Sequence, residues 1–114
     1  MSTPVNLENL RDMTGGDPAF EQELFQVFLE SAEECLTALQ TLCETGKDME
    51  WRTQAHALKG MCLNLGANKL GEMSANAQAN YMSPPEQKTE MLAGLRAEFD
   101  AVKQFLQSQS VATG

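Results

Sequence analysis

The 114-residue chain has one histidine, one tryptophan, one tyrosine and three cysteines. A single histidine without any CxxC pair excludes the usual zinc-ligand spacings, so no metal site is expected. An odd number of thiols argues against a disulfide framework. Cys35, Cys43 and Cys62 fall within helical patterns and read as buried, inert thiols. Bases are scarce: eight Lys and Arg stand against 16 Asp and Glu, for a net charge of -8. Such a chain repels phosphate backbones, which excludes nucleic acid as a partner. No apolar run approaches the roughly 20 residues that span a bilayer, so no membrane association is expected. The opening MSTPVNLENL lacks a basic region followed by an apolar stretch, so a signal peptide is not expected and a cytoplasmic location is. β-Branched residues nowhere alternate as they do in strands. There is no internal repeat, no glycine-rich phosphate loop and no nucleotide fingerprint.

Helical periodicity is what remains. A hydrophobic content of 42% suffices for one core, and the length suits one domain, expected over residues 1–110 with a polar tail at 111–114. A short first helix is expected over Leu7–Met13, ended by Thr14-Gly15-Gly16. Asp17 offers an N-cap oxygen and Pro18 suits the first helical position. Phe20, Leu24, Phe28, Cys35, Leu39 and Leu42 then recur at helical spacing as far as a stop at Gly46. Asp48 can cap a third helix through Trp51, Ala55, Leu58, Cys62 and Leu65, with Gly66 breaking or bending the chain. Leu70, Met73, Ala77 and Tyr81 suggest a further helix after Asn68. Ser83-Pro84-Pro85-Glu86 reads as a capping box. Beyond it, Leu92, Leu95, Phe99, Val102 and Leu106 form a bundle-type seam. Short breaks between long amphipathic helices predict an all-α, up-down-up-down antiparallel four-helix bundle with a short helix in front.

The lone histidine does not belong to the core of that bundle. At about 100° per residue, with Leu58 at zero, Trp51, Ala55, Cys62 and Leu65 fall on one side of the third helix. His56 falls almost opposite, near Arg52, Lys59, Gly60 and Leu63. This stretch is also the most basic part of the chain: residues 17–34 hold six acids and no base, whereas 47–72 hold Lys47, Arg52, Lys59 and Lys69 against Asp48, Glu50 and Glu72. A neutral ring nitrogen is a nucleophile towards phosphorus, and a neighbouring ammonium can neutralise an incoming phosphoryl oxygen. A glycine in a helix interior costs about 1 kcal/mol against alanine. Gly60 would repay that by leaving room for close approach beside His56. Without a phosphate loop or paired carboxylates at the site, the phosphoryl group must come from one partner and leave to another.

His56-Ala57-Leu58-Lys59-Gly60, followed by Asn64-Leu65-Gly66-Ala67, resembles the signature of histidine-phosphotransfer (HPt) domains, and the likeness extends over about residues 5–107. The resemblance implies that His56 accepts the phosphoryl group, at Nε2, as a phosphoramidate. It implies that Lys59 steadies that group and that Gly60 is kept small so a receiver domain can reach the histidine. Gln78 aligns with a position on the following helix where a side chain can hydrogen-bond the imidazole. The partners implied are receiver domains, one on a hybrid histidine kinase and one on a response regulator. The chain would carry no cofactor of its own, because the magnesium sits in the receiver. A monomer is expected, although a long last helix would permit a dimer. Met61, Cys62 and Leu63 depart from the small residues usual after the glycine, and Gly71 is also unusual. Leu63 could add an apolar contact for a partner. The docking face inferred is Arg52, His56, Lys59, Gly60 and Leu63, with Gln78 beside it. The reading is therefore a phosphohistidine carrier, not an enzyme with its own kinase site. The alternatives are a bundle that docks receiver domains without transferring phosphate, and a bundle enzyme or cofactor carrier, which the lack of a Glu-x-x-His pair disfavours.

Overall fold

The computed structural model describes residues 4–44 and 46–113; Met1–Thr3, at the head of the N-terminal stretch, and Gly114, at the end of the expected polar tail, lie outside them. Among the described residues five helices follow one another: α1 (Leu7–Thr14), α2 (Pro18–Thr41), α3 (Asp48–Leu65), α4 (Asn68–Ala79) and α5 (Pro85–Thr113). No strand occurs among the described residues. Helix α5 continues through residues 111–113 of the polar tail.

Local chemistry explains most helix boundaries. The Asn6 side chain accepts the Glu8 N–H at the start of α1, and Asp17 accepts the Ala19 N–H at 3.0 Å, with Pro18 in the first turn of α2. Four boundaries differ from expectation. Helix α2 stops at Thr41, because the Leu42 N–H turns back to the Leu39 carbonyl (3.0 Å) and tightens the last turn, leaving Cys43 beyond the helix. Asp48 does not cap α3: the cap position is Lys47, without a side-chain bond, and Asp48 instead pairs with Lys88. The capping box at Ser83 does not form either. Pro84 supplies the first acceptor carbonyl of α5, to Gln87 and Lys88 N–H, so Ser83 lies one residue too early. Helix α4 likewise ends at Ala79, before Tyr81, where Asn80 bonds the Asn76 carbonyl through both its backbone N–H and its Nδ2.

Helix α3 packs against α2 and α4, α5 closes on α2 and α4, and α1 lies over α2 and α3. Trp51, Leu58, Cys62, Leu36, Leu39 and Leu95 fill the centre. The expected core faces of α3 and α5 are buried as read from their spacing, whereas Phe20 on α2 stays exposed. Particular pairs tie the helices together. Phe28 and Phe99 meet at 6.4 Å between ring centroids, and Glu33 pairs with Arg96. Lys69 reaches Glu98 at 3.6 Å, and the Trp51 indole N–H donates to the Ala77 carbonyl at 2.9 Å.

Lys88 is the surprise in the core. It is 1% exposed, salt-bridged to Asp48, with its ammonium 5.6 Å from the Trp51 ring centroid. Its aliphatic stem joins the apolar interior while the charge is matched by a carboxylate and an aromatic face.

The α3–α4 turn holds the N-terminal segment. Gly66 has φ +96°, and its carbonyl accepts the Asn6 N–H at 2.8 Å. A Cβ there would lie 2.3 Å from the Asn6 carbonyl oxygen. Both the left-handed backbone and the close approach require glycine. Val5 and Leu10 are buried on either side of this contact, so the turn anchors α1 as well as joining α3 to α4.

Candidate functional site

Helix α3 buries Trp51, Ala55, Leu58, Cys62 and Leu65, and thereby turns His56 outward. His56 is exposed, and neither ring nitrogen has a hydrogen-bond partner among the described residues. The imidazole is thus exposed and free of polar contacts among the described residues. Lys59 lies one turn on, half-buried along its stem, and makes no ion pair among the described residues.

Gly60 sits beside them in open space: a Cβ at this position would meet nothing within 4 Å, and its φ is not in the left-handed region. Among the described residues, nothing in the packing or backbone asks for glycine there. Gly71, on α4, is the opposite case. A Cβ on Gly71 would lie 2.8 Å from Leu63 Cδ2 and 3.4 Å from Cys62 Cβ. Leu63 therefore rests on the bare backbone of α4. Although 48% exposed, it is seated on one side and forms an apolar shoulder two turns beyond His56 on α3. Two of the departures noted in the sequence, Leu63 and Gly71, are one feature: the large residue is accommodated by the small one.

Arg52 lies one turn before His56. Its guanidinium carbon is 5.6 Å from the Tyr81 ring centroid, in the turn that follows α4. Gln78 is half-buried on α4 and makes no hydrogen bond to His56. On the other flank, Met61 and Asn64 border an apolar cleft of about 190 Å³ that also involves Leu24, Val27 and Phe28 of α2. Val27 is 59% exposed at its edge.

The charge pattern sets this face apart. Of the eight lysines and arginines, five are ion-paired: Arg11 with Glu21, Lys47 with Glu50, Lys69 with Glu98, Lys88 with Asp48 and Arg96 with Glu33. Among the described residues, Arg52, Lys59 and Lys103 have no such partner. Two of these three flank His56, in a chain with twice as many acids as bases. The face therefore presents uncompensated positive charge around an accessible imidazole, which suits an incoming anion.

Cys35 and Cys62 are buried as expected, whereas Cys43, beyond the end of α2, is half-buried. Burial pushes the Cys62 thiol up from 9.0 to about 12, against a hydrogen bond with Ser74 that pulls it down, and burial with nearby Glu34 also raises Cys35. No group of three or more His, Cys, Asp or Glu among the described residues could hold a metal ion, and no helix among them is long and apolar enough to cross a membrane.

Sequence reasoning missed Tyr81 as the platform for Arg52, Gly71 as the seat of Leu63, and the cleft beside Met61. The family model for the Hpt domain matches residues 23–105. No curated protein and no solved structure matches the chain.

Proposed function

The chain belongs to the Hpt domain family, whose members carry histidine phosphotransfer in two-component phosphorelays, and from that premise we propose that it is a phosphohistidine carrier working through His56. The accessible, unbonded imidazole beside Lys59 and the empty space over Gly60 is the observation that carries this reading. A ring nitrogen attacks the phosphorus of an aspartyl phosphate on a receiver domain. The nitrogen–phosphorus bond forms, the phosphorus–oxygen bond breaks, and the aspartate leaves as its carboxylate. The Lys59 ammonium balances charge on the phosphoryl oxygens. In the onward step a carboxylate oxygen of a second receiver attacks phosphorus and the bonding pair returns to the imidazole. Magnesium belongs to the receivers, and this chain supplies nucleophile, charge and access rather than a kinase site of its own. The donor is a receiver of a hybrid histidine kinase, the acceptor is a response regulator, and the setting is the cytoplasm.

The same proposal includes an up-down-up-down bundle. Contacts between neighbouring helices support it, because one partner's number rises as the other's falls. Glu33–Arg96 and Phe28–Phe99 do so for α2 and α5, and Lys69–Glu98 and Met73–Gly94 for α4 and α5. Arg52–Tyr81 and Leu63–Gly71 do so for α3 and α4.

The test is to incubate the protein with a panel of phosphorylated receiver domains and follow acid-labile, base-stable phosphate. Wild type gains it and His56→Gln does not. Equal labelling of both would rule out His56 as the acceptor, and none on wild type while it still binds receivers would leave a docking module without transfer.

A further inference from the structure

We propose that Arg52, stacked over Tyr81, is the docking anchor of this face, and that its counterpart is a carboxylate at the rim of the partner receiver's aspartate site. This rests on the phosphotransfer reading above. Three observations converge on it. Arg52 is exposed and has no acidic partner among the described residues, although the chain carries 16 acids and most of its other cations are paired. Its guanidinium is held 5.6 Å from the Tyr81 ring centroid, which limits its rotamers without using up its N–H groups. It also lies one helical turn from His56 on the same outward stripe of α3.

The partner's chemistry follows from what it must hold. A site that binds magnesium and accepts a phosphoryl group on aspartate is lined by carboxylates. Such a surface meets an acidic bundle with repulsion everywhere except at an unpaired cationic patch. Lys59, beside the imidazole, faces the phosphoryl group. Arg52 is a turn away and drawn towards α4 by Tyr81, so it faces the rim. A planar fork already fixed on an aromatic ring loses less freedom on meeting a carboxylate than a free lysine would. Arg52 is thus a positioning residue: it sets where the receiver sits, and His56 does the chemistry.

The experiment uses the full chain, loaded on His56 with phosphoramidate, which needs no protein partner. Transfer is then followed to the magnesium-loaded receiver domain that reacts fastest in the panel above. Arg52→Ala should raise the half-saturating receiver concentration about tenfold with little change in maximal rate, and should flatten the salt dependence. Tyr81→Leu should give part of that loss, Tyr81→Phe should behave as wild type, and Arg52→Lys should recover less than half of it. Lys103→Ala, an unpaired cation beside the groove between α2 and α5, should change nothing. A half-saturation for Arg52→Ala within about twofold of wild type overturns the anchor, and so does a loss confined to maximal rate. Either result leaves phosphotransfer through His56 standing. Failure of wild type to load or transfer at His56 overturns both.

Discussion

Substitution at Gly60 should move stability and function in opposite directions. A Cβ at this position meets nothing within 4 Å, and the backbone is ordinary helix. Alanine should therefore gain the full difference in helix propensity, about 1 kcal/mol, with no packing penalty. For 114 residues at about 2.1 cal/mol/K each, the unfolding entropy is about 0.24 kcal/mol/K, so Tm should rise by about 4 °C. Glutamine, also a good helix former, should stabilise by a somewhat smaller amount. Transfer should fall along the series Gly, Ala, Gln, because each added atom occupies the approach to the imidazole. Holding a partner back by about 1 Å can cost on the order of a hundredfold in a transfer step. Even a partial displacement by the glutamine side chain should slow transfer at least about tenfold. Thermal melts followed by circular dichroism and receiver-to-His56 transfer rates read the two effects separately. A Gly60→Ala variant with unchanged or lower Tm would show that the glycine serves the fold after all. A Gly60→Gln variant that transfers at the wild-type rate would refute the access argument directly.

Other expectations rest on different contacts. Gly71→Ala should be nearly neutral in wild type, where its methyl displaces Leu63, yet should stabilise a Leu63→Ala background by about 1 kcal/mol, a coupling that a double-mutant cycle in urea would expose. Asp48→Ala strands the buried Lys88 ammonium and should cost about 2–3 kcal/mol, discounted because Asp48 is partly exposed; Lys88→Met should cost less, since it removes the buried charge and keeps the stem, and equal losses in denaturant melts would count against a true ion pair. For Cys62 the folded thiol titrates higher than the unfolded one, so the stability it confers is complete below pH 9.0 and declines as pH rises towards about 12; melts of wild type and Cys62→Ala should converge over that window. At neutral pH a thiol reagent should label half-buried Cys43 well before Cys62, and equal labelling rates would mean that α3 opens locally.

Periodicity made the core faces and the outward stripe legible. Once Trp51, Leu58 and Cys62 were assigned inward, the positions of His56 and Lys59 followed from 100° per residue. What was not legible depends on meetings between helices. Lys88 reads as a solvated lysine in any window of sequence, and only the approach of Asp48 and Trp51, some 40 residues away, makes its burial tolerable. Caps failed for a similar reason. Ser83 and Asp48 carry suitable oxygens, but two prolines shift the start of α5, and Lys88 claims the Asp48 carboxylate. Tyr81 could have been found: it stands 15 residues after Gly66 and Arg52 stands 14 before it, so folding the chain at that glycine brings the two level.

The glycines of this hairpin show why residue type alone cannot separate fold from function. Gly66, Gly71 and Gly60 look alike in sequence, each interrupting a helical pattern. Gly66 is fixed by a positive φ and by the Asn6 carbonyl, so a larger residue there should release the N-terminal segment. Gly71 is fixed by Leu63, a flexible neighbour, and its requirement disappears when that neighbour is cut back. Gly60 is fixed by nothing among the described residues. A helix-weakening residue that touches no described neighbour and adjoins an accessible histidine fits the proposed role in letting a partner approach. If His56 carries phosphate as proposed, the space above Gly60 is the receiver's approach, and Lys59 and Arg52 on either side, unpaired among the described residues, suit an anionic visitor.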